Sequence, residues 1–144
     1  MGSVVSATTG RAYGDGVKAS KEETFFTAAA DLLASADVEL QAGRDDLALE
    51  YAYRAALRVA GARNAASPIV RKRKRLPTSA WDKLALTGEE GAQWAATFSS
   101  FSAARARAAS GIDTSPDPSM VARLVALAGQ FYSDSLPGGG TMAA

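Results

Sequence analysis

Apolar residues recur every three or four positions in four long segments of the chain, and polar residues fill the positions between them. This period matches the turn of an α-helix and predicts four amphipathic helices that share a core. The apolar positions of the four segments are Phe26, Ala29, Leu33, Ala36 and Leu40; Leu49, Ala52, Tyr53, Ala56, Val59 and Ala60; Trp94, Phe98 and Phe101; and Val121, Leu124, Val125, Ala128 and Phe131. We interpret the aromatic stripe of the third segment as core packing.

Capping patterns predict where the helices begin and end. Residues 20–23 have the spacing of a capping box, and Gly43 suits the end of the first helix. Residues 87–90 have the same box and predict the start of the third long helix. Asp followed by Pro at residues 117–118 predicts the start of the last one. A short additional helix is predicted over residues 79–86.

The same patterns predict the fold and its boundaries. No segment alternates polar and apolar residues with a period of two, so we expect no strands. The expected fold is all-α, an antiparallel four-helix bundle plus one short helix, over residues 20–136. Residues 1–19 are rich in Gly, Ser, Thr and Ala, which predicts a disordered leader. Pro137 and the glycines after it predict a flexible C-terminal tail over residues 137–144.

The composition restricts the chemistry of the chain. Its 144 residues include no His and no Cys, which removes imidazole bases, thiolate nucleophiles, disulfides and the usual zinc ligands. We therefore expect no catalytic residue, no metal site and no cofactor. The longest uncharged stretch, residues 91–104, is too short and too polar to span a bilayer. A cytoplasmic location without membrane association is the expectation that follows.

The net charge of +1 conceals an uneven distribution of acids and bases. Residues 20–50 are mainly acidic, whereas residues 51–81 carry only basic charges. Such asymmetry favours a polyanion partner or the pairing of acidic and basic protein faces. Within the second helix, a ladder of charges with a spacing of four residues is typical of a self-paired surface. That ladder consists of Asp46, Glu50, Arg54 and Arg58.

Five consecutive cations at residues 71–75 lie between Pro68 and Pro77, which predicts an exposed loop. A first hypothesis is that this basic run binds RNA, other single-stranded nucleic acid, a nucleotide or another polyanion. Trp81 would then stack on an unpaired base. The candidate binding residues are Arg54, Arg58, Arg71, Lys72, Arg73, Lys74, Arg75 and Trp81.

A second hypothesis is an interaction or scaffold protein. Its acidic first helix and its basic loop would contact a partner protein or a second copy of the chain, as in a homodimer. In this interpretation Trp81 is a buried anchor of the short helix. From the residues we favour this second hypothesis, a self-associating interaction or scaffold module, and keep binding of RNA, a nucleotide or another polyanion as the alternative.

Residues 45–61 have an acidic start, a middle rich in Ala and Tyr, and an end of small residues. The Arg-rich run and Ser79-Ala-Trp81 follow them along the chain. This pattern resembles the short HEPN domains of actinobacteria. HEPN stands for higher eukaryotes and prokaryotes nucleotide-binding, the name of a superfamily. The resemblance covers residues 24–136. It implies an all-α bundle, usually dimeric, in a superfamily whose active members cut RNA with an Arg-x4-6-His motif.

This chain departs from that motif. Arg105 and Arg107 lie near the end of the third long helix, but no histidine follows either of them. The general base that RNA cleavage would need is therefore missing. What the resemblance still implies is a non-catalytic HEPN-like module that binds RNA, nucleotides or protein.

Overall fold

The computed structural model describes residues 20–138, and within them it contains helices and no strand. The helices are α1 (Lys21–Gln41), α2 (Asp45–Ala66), α3 (Pro68–Lys72), α4 (Ala80–Ala85), α5 (Glu89–Ser99), α6 (Ser102–Ala109) and α7 (Pro118–Ser135). The all-α prediction is confirmed. The predicted leader at residues 1–19 and most of the predicted tail, residues 139–144, lie outside the described residues.

Three of the predicted helix starts have the expected capping bonds. The Ser20 side chain accepts from the backbone N–H of Glu23, and the Glu23 carboxylate accepts from that of Ser20, at 3.0 and 2.8 Å. Ser79 caps α4, and Asp117 caps α7 ahead of its N1 proline. Each bond satisfies a backbone donor that would otherwise lack a partner in the first helical turn.

The capping box predicted at residues 87–90 is wrong. The Thr87 hydroxyl donates instead to the Leu84 carbonyl at 2.6 Å, and Gly88 precedes α5 with φ of 142° and no side-chain cap. Gly91 then allows the close approach between α4 and α5, because a Cβ there would lie 2.6 Å from the Leu84 carbonyl oxygen. The tight turn, rather than a polar cap, sets the start of α5.

The third long helix of the sequence prediction is divided into α5 and α6. Its side-chain hydroxyls cause the break: Ser100 donates to the Thr97 carbonyl, and Ser102 donates to the Ser99 carbonyl. The Phe101 N–H then bonds the Phe98 carbonyl, three residues back, at 3.0 Å. Bonds from Ser hydroxyls to nearby backbone carbonyls compete with the regular helical hydrogen bonds and bend a helix. α6 still extends α5 in the same general direction.

The four long elements form the predicted antiparallel bundle. α1 and α2 are joined by a short turn through Gly43, which has φ of 79°. α7 packs on both of them, and its end lies at the start of α1, where the Phe26 and Tyr132 rings are 6.0 Å apart. Small side chains on α2 allow this close packing, and the buried alanines are Ala48, Ala52, Ala55, Ala56, Ala60 and Ala62.

Two ion pairs attach α5 and α6 to α2, and they show that these helices run in the opposite direction to α2. Glu90 at the start of α5 binds Arg63 near the end of α2. Arg105 on α6 binds Glu50 near the start of α2 through two hydrogen bonds of 2.9 Å. These contacts place α5 and α6 antiparallel to α2, which completes the bundle.

An aromatic cluster fills the space between α2, α4, α5 and α7. Phe98 is fully buried and lies between Trp81 and Trp94, with ring centroids 5.3 and 5.6 Å away. Phe131 of α7 contacts the same ring at 5.1 Å. The Trp81 indole N–H donates to the Tyr53 hydroxyl at 2.8 Å. The cluster therefore buries the short helix α4 against the bundle.

No helix among residues 20–138 is long and apolar enough to cross a membrane.

Candidate functional site

The basic run at residues 71–75 begins inside a helix, which corrects the loop prediction for its first two cations. Ser67 accepts from the Val70 N–H at 3.3 Å, and Pro68 occupies the first helical position of α3. Val70 is buried and anchors this single turn, after which the backbone becomes extended at Arg73. All five cations of the run are exposed, as predicted.

Only part of the basic run faces a concave surface. Arg71 and Arg73 line an open groove of about 450 Å³ between the start of α1, the second half of α2 and α4. Lys72, Lys74 and Arg75 do not line it. Its other lining residues are Lys21, Phe25, Leu57, Gly61, Asn64, Ala65, Val70, Leu76, Thr78, Ala80 and Lys83.

A second groove, of about 310 Å³, is lined by Arg54, Arg58, Phe25 and Leu57. It shares Phe25 and Leu57 with the first groove, so the two meet along the α1–α2 surface. We call the pair the cationic cleft. Its lining includes four cations from the first groove and two from the second, and no carboxylate. Those cations are Lys21, Arg71, Arg73, Lys83, Arg54 and Arg58.

Phe25 lies where the two grooves meet and is half-buried. Its ring packs directly on the backbone of α2 at Gly61. A Cβ on Gly61 would lie 2.7 Å from the Phe25 Cε1 atom and 2.9 Å from two further ring atoms. Because real Cβ contacts are longer than this, only glycine at position 61 allows the observed ring position.

Asn64 contributes an unusual polar group to the first groove. Its side chain is only 8% exposed, and its amide N–H donates to the Ala80 carbonyl at 3.3 Å. Its Oδ1 atom is buried and has no hydrogen-bond partner among the described residues. A buried acceptor without a partner is rare in folded proteins and calls for an explanation.

Trp81 does not lie in the cleft, which corrects the base-stacking assignment. Its side chain is buried in the aromatic cluster, and its N–H is engaged by Tyr53. A buried indole cannot stack on a ligand base, so the sequence hypothesis that made Trp81 a buried anchor describes the structure better. The exposed aromatic surface of the site belongs to Phe25 instead.

Sequence reasoning also missed Lys21, Asn64 and Lys83. Lys21 and Phe25 are four residues apart on α1, so the helical period places them on one face. Because Lys21 and Phe25 are far in sequence from residues 71–75, the sequence gave no signal that they would lie near that run. Only the packing of α1 on α2 brings them together.

The charge ladder on α2 is partly self-paired, as predicted, since Arg54 donates to Glu50 at 2.6 Å. The structure adds the bidentate bond from Arg105, whose guanidinium also lies 5.5 Å from the Tyr53 ring centroid. Hydrogen bonding to Arg105, together with that to Arg54, lowers the pKa of Glu50 in spite of its partial burial. Arg105 thus fastens α6 to α2 instead of projecting a free cation.

Residues 20–138 contain no group of three or more His, Cys, Asp or Glu side chains that could hold an ion.

A family model described as SAV_6107-like HEPN matches residues 40–134, which is more than half of the chain. The matched range includes α2 through most of α7, and it omits nearly all of α1. No curated protein and no solved structure gives a significant match.

Proposed function

The chain belongs to the SAV_6107-like HEPN family, and from this premise we propose that it is a non-catalytic module that binds single-stranded nucleic acid along the cationic cleft. The single observation that carries the proposal is the lining of the cleft. Its six cations surround an apolar floor, and the lining contains no carboxylate, although Arg54 also pairs with Glu50 outside it.

Such a surface suits a flexible phosphate chain. The grooves would follow the backbone of a strand, because each cation can pair with a phosphate and release a condensed counterion. The apolar floor between the cations suits unpaired bases, which a duplex would not offer. RNA is the strand we assign first, since the superfamily to which the sequence is similar includes proteins that act on RNA.

The non-catalytic part of the proposal rests on the side chains available in the chain. Neither imidazole nor thiol occurs in the 144 residues. Of the two arginines compared above with the superfamily motif, Arg105 is engaged by Glu50 in two hydrogen bonds. An arginine fixed in this way is poorly placed to stabilise a reacting phosphate.

Alternate residues of the basic run provide a matched test. We would compare the double variant Arg71→Gln/Arg73→Gln, which removes two cleft cations, with Lys72→Gln/Lys74→Gln, which removes two cations outside the cleft. Both variants lower the net charge by two. Binding of a fluorescently labelled single-stranded RNA would be measured by anisotropy between about 50 and 200 mM salt.

The cleft variant should bind more weakly than the control at every salt concentration. Its slope of log K against log salt should fall by about 1.4, because each lost phosphate contact on a single strand removes about 0.7. The control should keep nearly the wild-type slope. Equal losses in both variants would mean a diffuse attraction to the basic run, and no binding at low salt would refute the proposal.

The competing proposal, an interaction or scaffold role with self-association, has one observation in its favour. Val38 and Ile112 are large apolar side chains that are 61% and 77% exposed. Sedimentation at several concentrations measures this role directly. A dimer that the Lys72→Gln/Lys74→Gln variant abolishes would assign the basic run to protein contacts.

A further inference from the structure

The cleft contains two uncharged groups that a purely electrostatic site would not need. Phe25 presents an aromatic side chain at the junction of the two grooves, with cations on both sides of it. Asn64 lines the first groove and has a buried carbonyl oxygen without a partner. Both features are set by the packing of α1 and α4 on α2.

Both groups are held in place by the surrounding structure. Phe25 sits against the Gly61 backbone, where any Cβ would collide with its ring. The Asn64 amide N–H is engaged by the Ala80 carbonyl, which fixes the orientation of the amide and leaves Oδ1 as the free acceptor. A fixed acceptor and an aromatic ring that line the same groove can together recognise a planar group with an N–H at its edge.

We propose that Phe25 and Asn64 form a base subsite: one unpaired nucleobase stacks on the Phe25 ring and donates an N–H to Asn64 Oδ1. This inference rests on the proposed function, since the cations place the strand in the cleft. The phosphates on either side of the base lie on Arg71 and Arg73 in one groove and on Arg58 in the other.

The subsite distinguishes a base from a bare backbone and does not select among the four bases. Each nucleobase carries at least one N–H on its Watson–Crick edge, and every base has a face that can stack. Oδ1 is enclosed in the free protein, so a base reaches it only when the side chains that cover it rearrange on binding. Ligand binding would then satisfy an acceptor that folding leaves unpaired.

The stacking half of the proposal is tested with an abasic strand. A labelled oligouridylate and the same strand with one central abasic position would be titrated against the full chain. Wild type should bind the abasic strand roughly tenfold more weakly, the size expected for one lost aromatic stack. Phe25→Leu should lose most of this preference and keep only the part that the Asn64 hydrogen bond supplies, whereas Phe25→Tyr should retain it. Circular dichroism would confirm that both variants fold.

The hydrogen-bonding half is tested by changing the ligand and leaving the protein intact. An oligouridylate carrying N3-methyluridine stacks but lacks the N–H that Asn64 would accept. Wild type should bind it several-fold more weakly than oligouridylate. Asn64→Ala should bind the two strands alike, because the acceptor is then missing.

The outcomes separate this inference from the proposed function. If base-bearing and abasic strands bind equally while the salt dependence of the wild type persists, the base subsite is wrong and the cationic cleft stands. If methylation alone has no effect, Oδ1 has no ligand role and accepts only a trapped water. If no strand binds at low salt, both proposals fall.

Discussion

Two glycines inside helices offer a controlled test of the contact that positions Phe25. Gly61 in α2 and Gly129 in α7 both lie in helix interiors. A Cβ on Gly129 would have no atom within 4 Å, whereas a Cβ on Gly61 would lie 2.7 Å from the Phe25 ring. Replacing each glycine by alanine therefore makes the same chemical change with and without a steric conflict.

The expected magnitudes follow from these distances. Alanine is favoured over glycine in a helix interior by about 1 kcal/mol, so Gly129→Ala should stabilise the protein by about that amount. Gly61→Ala gains the same term but must displace the Phe25 ring by several tenths of an ångström to restore van der Waals contact. Such overpacking costs about 1–3 kcal/mol, and the low end applies because Phe25 is half-buried. Gly61→Ala should therefore be neutral or destabilising by about 1 kcal/mol.

Urea unfolding followed by circular dichroism measures both free energies of unfolding. We expect the two variants to differ by about 1–2 kcal/mol, with Gly129→Ala the more stable. Gly61→Ala should also lose most of the preference for a base-bearing strand over an abasic one, because the Phe25 ring is displaced in this variant. Equal stabilisation by both substitutions would refute the close contact of Phe25 with α2, and with it the geometry of the base subsite.

Two further predictions concern the packing around Tyr53 and Glu50. Tyr53→Phe leaves the buried Trp81 N–H without its partner. It should lower the free energy of unfolding, measured by urea titration, by about 1–3 kcal/mol. Strand binding should remain unchanged, because Trp81 lies outside the cleft. The pKa of Glu50 is lower in the folded state than in the unfolded state. The ionised Glu50 carboxylate therefore stabilises the fold above its unfolded pKa, and this stabilisation is lost as the pH falls through its folded pKa. Unfolding measured from neutral to acidic pH should therefore show a shallower loss of stability for Glu50→Gln than for wild type, and identical acid profiles would contradict the role assigned to the bond with Arg105.

Helix faces were predictable from sequence because burial on a helix repeats with its turn. Every apolar position predicted for α2 and α7 is buried, whereas Leu33 and Leu40 of α1 are only partly covered. The break between α5 and α6 was not predictable from hydrophobic period. It arises from hydroxyls at Ser100 and Ser102 that bond nearby carbonyls, a competition that leaves the apolar spacing unchanged.

The candidate site was only partly predictable, because its members come from four helices. The cations of residues 71–75 are evident from their run of charge, and Arg54 and Arg58 from their spacing on α2. The helical period placed Phe26 on the core face and left Phe25 off it, but it gave no signal that Phe25 would line a cleft. The position of the Phe25 ring depends on the packing of α1 on α2, where Gly61 leaves room for it.

Two residues without charge fix the basic run in its place beside the cleft. A mobile loop would present five cations equally and would attract any polyanion. Val70 is buried and Ser67 caps the helical turn that precedes the extended backbone at Arg73. With the segment in this position, Arg71 and Arg73 line the first groove of the cleft, whereas Lys72 and Lys74 do not. A proposal based on charge alone treats these cations as interchangeable, whereas the structure predicts that they are not.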